Sequence, residues 1–150
     1  MRTSEVRRRI LSDHARIRIM VADLEAIAVR LRSGEEQLSE SLRRMCRHFF
    51  NSLERHLDLE DVILVRMFRE SGEQGSAYAD RLEAEHREQR VLLAYLRERC
   101  DDSAIPSILL VQDVLHIAAL LRDDMRQEEA ALSDPKYLWD EGGAIHQLSG

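Results

Sequence analysis

The chain has few of the residues that interrupt helices or cross-link small folds. Its 150 residues include 2 prolines, 6 glycines and 2 cysteines, and aromatic residues make up 5%. The two cysteines, Cys46 and Cys100, form no CxxC pair, which excludes a disulfide scaffold and predicts a reducing cytoplasm. No apolar run approaches the roughly 20 residues of a membrane span, and MRTSEVRRRI leads into no apolar signal-peptide core. We therefore expect a cytoplasmic protein that does not enter a membrane.

Lysine is almost absent, since Lys136 is the single lysine among the 22 lysine and arginine residues. The formal net charge is −6. Nucleic-acid binders and basic membrane-surface proteins need a positive field to attract phosphates, so this balance argues against both classes.

The turn-forming residues are concentrated in four short stretches, at 33–36, 71–76, 101–107 and 134–143. The segments between them are rich in Leu, Ala, Arg and Glu, which favour helices, and poor in the β-branched runs typical of strands. We predict helices at about 3–32, 36–70, 76–100 and 106–133. Gly34 just past a helix end and Pro106 near a helix start agree with this division.

Long helices joined by short turns bury their apolar faces by running antiparallel to their neighbours. The predicted fold is therefore all-α, an up-down-up-down antiparallel four-helix bundle. We expect one domain over residues 1–150, with the bundle at about 3–133 and an irregular tail at 134–150. Tyr137, Leu138 and Trp139 are predicted to cover one end of the bundle.

Spacings of three and four residues predict which side chains face the core. In the four helices in turn, these positions are Ile10, His14, Ile17, Val21, Leu24, Ala28 and Leu31; Phe49, Leu53, His56, Glu60, Ile63 and Met67; Ala79, Leu82, His86, Gln89, Leu93 and Leu96; and Val111, Leu115, Ala118, Arg122, Met125, Glu129 and Leu132. Every stripe is interrupted by a histidine or a carboxylate.

The interruptions lie at similar heights in an antiparallel bundle, within about 15 Å of one another along its axis. A buried carboxylate normally is neutralised, pairs with a cation or binds a metal. We therefore predict one cluster of metal ligands, of the types that Fe, Mn or Zn accept: His14, His56, Glu60, His86 and Glu129. The alternative is a polar network of His, Glu and Arg side chains without metal.

The remaining candidates are predicted to be structural or solvated. His48 and His116 occupy other layers of the bundle, and His146 lies in the tail. Asp58 and Asp61 are assigned to a solvated face. Cys46 and Cys100 are predicted to be small apolar fillers.

Several ordered motifs resemble the hemerythrin-like (HHE cation-binding) family over about residues 5–135. They are His14 in LSDHARIR, the stretch HLDLED followed by ILVRMF, His86 in AEHREQR, and MRQEEAALSDP. The resemblance implies a four-helix bundle around non-haem iron, usually two irons, that binds or reacts with dioxygen, nitric oxide or peroxide. It implies that His14 and His56 bind one iron, that His86 belongs to the second, and that Glu60 and Glu129 bridge them.

Two positions depart from the family pattern. Arg90 stands where helix 3 of the family has its second histidine, and Met125 stands at the helix 4 histidine position. A guanidinium cannot ligate a metal, and a thioether is a poor ligand for ferric iron. We expect Arg90 to reach the cavity and place its cation beside Glu60 and Glu129.

This asymmetry favours one complete iron site and a second incomplete one, which Glu85, Asp124 or Glu128 could supplement. The first hypothesis is an iron protein that binds or senses dioxygen, nitric oxide or peroxide. The second is a non-haem iron oxidase, a peroxidase or an iron-delivery protein. The third is a metal-free helical interaction module descended from the family, with an unknown protein partner.

Overall fold

Five α-helices, a 3-10 turn and a π-helical segment make up the fold in the computed structural model, which describes residues 1–137. Because α2, the π-helical segment and α3 follow one another without a break, they form one long helix, and the bundle therefore has four helices. The described part of the chain contains no strand, as the composition predicts. The elements are α1 (Thr3–Arg32), the 3-10 turn Glu36–Leu38, α2 (Ser39–Leu59), the π-helical segment Glu60–Val65, α3 (Arg66–Arg69), α4 (Gly72–Asp101) and α5 (Ser107–Leu132).

A glycine ends the first helix as predicted. Gly34 has a φ of 109°, a conformation that side chains disfavour. Its N–H donates to the carbonyl of Leu31, and the next N–H, of Glu35, donates to Arg30. This Schellman arrangement satisfies two carbonyls at the end of α1 and turns the chain toward α2.

The second turn is shorter than predicted, because α4 begins at Gly72 and not near residue 76. Gly72 has a φ of 89° and makes the reversal within two residues. Gly75 is buried inside α4, where a Cβ atom would lie 2.4 Å from the carbonyl oxygen of Phe68 and 2.7 Å from that of Tyr137. The glycine-rich stretch is therefore partly a contact between backbones and not only a turn.

The core consists of two apolar clusters on either side of a buried polar layer. The larger cluster lies toward the turns at 33–38 and 102–106 and includes Phe49 and Phe50. The smaller cluster lies near the start of α1 and includes Phe68 and Tyr78. Tyr137 packs on Phe68 and Tyr78 with ring centroids 6.4 and 4.9 Å away. Leu138, Trp139 and His146 lie outside the described residues.

The predicted core positions of the first two bundle helices are all buried. In the last helix the prediction is correct for Val111, Ala118, Met125 and Leu132, but Leu115 and Arg122 are only partly buried. It is wrong at the site, because Glu128 is buried and Glu129 keeps a side chain that is 24% exposed. Apolar residues surround much of α5, so spacing alone allows more than one buried stripe. The buried positions of α5 are Leu110, Val111, Val114, Ile117, Ala118, Leu121, Met125, Glu128, Ala131 and Leu132.

Across residues 1–137, every helix is too short or too polar to cross a bilayer.

The close backbone approach at Gly75 generates a stability test. Alanine is the better helix former by about 1 kcal/mol, so Gly75→Ala would stabilise an unconstrained helix. We expect it instead to lower the free energy of unfolding by about 1–3 kcal/mol, because the added methyl group overpacks two carbonyl oxygens. Denaturant unfolding measures the change, and Gln74→Ala, at an exposed site on the same turn, serves as the control. A stabilised Gly75→Ala protein would contradict the predicted clash.

Candidate metal centre

Three histidines and two carboxylates form the buried polar layer. His14 comes from α1, His56 from α2, Glu60 from the π-helical segment, His86 from α4 and Glu128 from α5. Each is at most 5% exposed. The structure therefore brings together four of the five predicted residues, and Glu128 takes the place that was predicted for Glu129.

The π-helical segment Glu60–Val65 shapes this layer on the second bundle helix. Its i to i+5 hydrogen bonding widens the helix by one extra residue. Glu60 is buried at its start, and the adjacent Asp61 lies close enough to α4 to bond His86. The sequence reads as an uninterrupted α-helix here, so this local widening was not predicted.

The inward ring nitrogens of the histidines face carboxylate oxygens. His14 Nε2 lies 3.2 Å from Glu60 Oε2 and 3.1 Å from Glu128 Oε1. His56 Nε2 lies 3.2 Å from the same Glu60 oxygen. One donor atom from each of these four residues lies within 4.8 Å of every other.

His86 approaches the same carboxylates from the opposite side. Its Nε2 is 3.2 Å from Glu60 Oε1 and 3.8 Å from Glu128 Oε2. Each carboxylate thus turns one oxygen toward the His14 side and the other toward His86. The layer therefore contains two adjacent groups of donors, one with two imidazoles and one with a single imidazole.

The outward ring nitrogens all bond a second set of carboxylates. His14 Nδ1 donates to Glu129 at 2.7 Å, and His86 Nδ1 donates to Asp61 at 2.6 Å. His56 Nδ1 donates to Asp13. A proton fixed on Nδ1 leaves the lone pair of a neutral imidazole on Nε2, directed into the layer.

An arginine in turn pairs with each outer carboxylate. Arg16 lies 2.8 Å from Asp13, Arg18 lies 2.8 Å from Glu129, and Arg90 lies 2.7 Å from Asp61. These arginines are 34–47% exposed at the side chain. Three chains of arginine, carboxylate and histidine therefore run from the surface to the buried layer.

The predicted position of Arg90 in the cavity is wrong. Its guanidinium pairs with Asp58 and Asp61 on the outer side of His86. It therefore leaves the space beside Glu60 free of a fixed cation. Met125 is 2% exposed and belongs to the larger apolar cluster, so it does supply an apolar wall.

The donor set fits a bound cation. With their protons on Nδ1, neutral imidazoles would point lone pairs at carboxylate oxygens, an arrangement that repels unless a cation lies between them. Among residues 1–137, the fully buried His86 Nε2 has no hydrogen bond of good geometry, although Glu60 Oε1 lies only 3.2 Å away. An ion about 2.1 Å from its donors separates adjacent donors by about 3.0 Å in an octahedron and about 3.4 Å in a tetrahedron. The three Nε2 spacings of 3.2 Å to Glu60 and the spacing of 3.1 Å from His14 to Glu128 fall in this range.

Protons can compensate the same charges when no metal is bound. Burial opposes protonation of His14, yet its hydrogen bonds to Glu128 and Glu60 raise its pKa to about 10. Burial also opposes protonation of His86, but its contacts with Glu128 and Glu60 raise its pKa to about 10. For His56, hydrogen bonds to Asp13 and Glu60 overcome the effect of burial and raise the pKa to about 9. Burial favours the neutral form of Glu60, but its three histidine partners hold its pKa well below the usual value. Burial and the charge of Glu60 raise the pKa of Glu128.

The other acidic candidates lie around the layer and not in it. Glu85 pairs with Arg81 at 3.3 Å. Asp124 accepts a hydrogen bond of 2.5 Å from Gln89, and burial, with the charge of Glu85, raises its pKa to about 6. His48 and His116 are exposed, as predicted.

Two outer residues escaped the sequence analysis or were assigned a different role. Asp13 was not singled out, and no spacing within α1 indicates that its side chain meets His56 on another helix. Asp61 was assigned to a solvated face, but its half-buried carboxylate bonds His86. Asp58 is 65% exposed and agrees with that assignment.

Comparison with protein-family models matches the chain to a family of cation-binding domains. Residues 6–133 match the model of the Hemerythrin HHE cation binding domain. The match covers most of the chain, and the chain therefore belongs to this family. Searches of curated proteins and of solved structures found no match.

The bond between Asp13 and His56 generates a test of the outer carboxylates. Asp13→Ala removes the acceptor that orients the imidazole, so we expect metal affinity to fall by about 10–100-fold. Competition with a chelator of known affinity measures the change. Asp58→Ala is the matched control, because Asp58 contacts Arg90 and no histidine in the described part of the chain. Equal affinities of the two folded variants would show that the Asp13 bond does not support metal binding.

Proposed function

We propose that this hemerythrin-family protein binds non-haem iron in the buried layer and uses it to bind or sense dioxygen, nitric oxide or peroxide. One observation carries the proposal: the three Nε2 atoms face two buried carboxylates, and each Nδ1–H donates to a carboxylate on the outer side of the layer. Imidazole and carboxylate ligands suit iron. The same ligand types also suit manganese and zinc, so metal analysis is the first test.

The proposed ligands of the first metal position are His14, His56, Glu60 and Glu128. A second position would take His86 and the other oxygens of Glu60 and Glu128. Glu129 is proposed to orient His14 through Nδ1 instead of binding metal, which revises the role expected from the sequence. The second position has one imidazole where the first has two, so we propose that it binds iron more weakly.

Bound iron would supply open coordination positions and a redox-active centre for a small ligand. The protein supplies the surroundings. Apolar clusters on both sides exclude water, which strengthens electrostatic interactions within the layer. The arginine, carboxylate and histidine chains hold each imidazole in one orientation and tautomer.

The asymmetry between the two positions favours sensing or redox chemistry over reversible dioxygen carriage. Dioxygen carriage in this family takes one electron from each of two irons, so it needs both positions to be filled. A protein with one tightly held iron can still bind nitric oxide or peroxide. Assays with peroxide and a reductant distinguish this role from turnover of a substrate.

We further propose that residues 1–150 act as one domain in the cytoplasm. The two cysteines are free thiols, as a reducing compartment favours. The acidic net charge of −6 supports a small ligand over nucleic acid as the partner.

Neighbouring glutamates on α5 provide a matched pair for testing the ligand assignment. We expect Glu128→Ala to lower iron affinity by more than about 100-fold, a larger effect than the roughly 10–100-fold typical of an outer partner. Glu129→Ala removes an outer partner and is expected to fall within that smaller range. Elemental analysis after anaerobic iron reconstitution, followed by chelator competition, measures both. A larger loss in Glu129→Ala would restore the assignment made from the sequence.

Nitric oxide provides a test of the open coordination position. We expect the ferrous protein to hold nearer one iron than two per chain and to give a nitrosyl signal in electron paramagnetic resonance. His56→Ala is expected to lose both iron and signal, whereas His48→Ala, at an exposed site on the same helix, keeps them. Wild-type protein that folds but takes up no iron would instead favour the metal-free interaction module.

A further inference from the structure

A second cluster of reactive side chains lies beside the α4–α5 connection. Cys46 on α2 and Cys100 in the last turn of α4 are each 1% exposed. The Cys100 thiol donates to the carbonyl oxygen of Arg43 at 3.3 Å, one helical turn before Cys46. Cys46 and Cys100 belong to the same buried cluster, and each thiol shifts the pKa of the other. Ten residues, about 15 Å along the helix, separate Cys46 from His56, so this pair is distinct from the candidate metal centre.

The buried cation beside the pair has no acidic partner among residues 1–137. Arg43 is 8% exposed, and its guanidinium donates to the carbonyls of Cys100 at 2.7 Å, Asp102 at 3.3 Å and Ile105 at 2.6 Å. A buried charge is costly without a counter-charge. A thiolate on Cys100 would supply a negative charge at this position.

A polar cavity of about 330 Å³ connects this cluster to the surface. Its lining includes Cys100, Arg43 and Arg47. Since a water molecule occupies about 30 Å³, the cavity has room for hydrogen peroxide and for small organic hydroperoxides. Cys100 is thus buried within the protein, but as a lining residue it borders a space that a small oxidant can enter.

The two thiols differ in their surroundings. The neighbouring Cys46 thiol lowers the pKa of Cys100 against the opposing effect of burial, and Arg47 lowers it further. The Cys100 thiol and burial together raise the pKa of Cys46. Cys100 is also the cysteine that lines the cavity, so position and charge both favour Cys100 over Cys46 as the thiol that meets an oxidant.

We propose that Cys46 and Cys100 form a second, metal-independent redox site that reduces hydroperoxides. The Cys100 thiolate attacks the terminal oxygen of the hydroperoxide, the O–O bond breaks, and the alcohol or water leaves with one proton. Cys100 becomes a sulfenic acid. The Cys46 thiol then attacks the Cys100 sulfur, forming a disulfide between α2 and α4 and releasing water. The thiols lose two electrons and two protons in total, and the hydroperoxide accepts them.

Mass spectrometry of the full-length protein tests the proposal. The reduced protein, freed of reductant, is treated with hydrogen peroxide and then alkylated. We expect a non-reducing peptide map to show the Cys46 and Cys100 peptides joined within one chain. In Cys46→Ser, we expect a dimedone adduct on Cys100 and no link. In Cys100→Ser, we expect neither product.

Two controls distinguish the thiol site from iron-driven oxidation. The same link is expected in wild-type protein stripped of metal and in His56→Ala, so failure of the proposed iron function would leave this result intact. A link that forms only in iron-loaded protein would overturn the proposal. Wild-type protein that gains methionine sulfoxide while both thiols still react with alkylating agent after unfolding would overturn it as well.

Discussion

The carboxylate of Glu60 is buried at the centre of the bundle, and the site is organised around its charge. Imidazoles from α1, α2 and α4 approach its two oxygens at 3.2 Å, so three helices are tied to one side chain. A carboxylate that is 1% exposed is tolerated only when cations compensate it. Protons on the histidines provide that compensation when the site is empty of metal, and a bound metal would provide it while releasing those protons.

The charges around Glu60 alternate in sign from the centre to the surface. Imidazoles surround the inner carboxylates, a second ring of carboxylates bonds the imidazoles, and arginines bond that ring. The outer carboxylates and arginines cancel one another, so the charge of the inner layer depends on its own metal and protons. Arg90 belongs to this outer ring. Arg90 stands where the family pattern has a histidine ligand, and here it supports His86 through Asp61.

The two apolar clusters lie on either side of the buried layer that holds the candidate metal ligands. The smaller cluster and the aromatic contacts of Tyr137 close one side of the metal layer. The larger cluster lies on the other side, with Cys46 and Cys100 among its members. Its far end is connected through Arg43 to the carbonyl groups that close α4. Packing that stabilises the bundle thus also keeps the metal-binding groups and the thiols apart.

The amino-acid sequence by itself determined the helical class, the bundle, and the histidines of the site. Its apolar periodicity is unambiguous in α1, where His14 interrupts a clear stripe, and in α2, where His56 and Glu60 do the same. Only the tertiary structure decided between Glu128 and Glu129, because apolar residues surround α5 and permit more than one phase. It also decided the partners of Asp13 and Arg90, since contacts between helices depend on rotation and height that spacing within one helix does not encode. The widened turn at Glu60 and the backbone contact at Gly75 are likewise visible only in the folded chain.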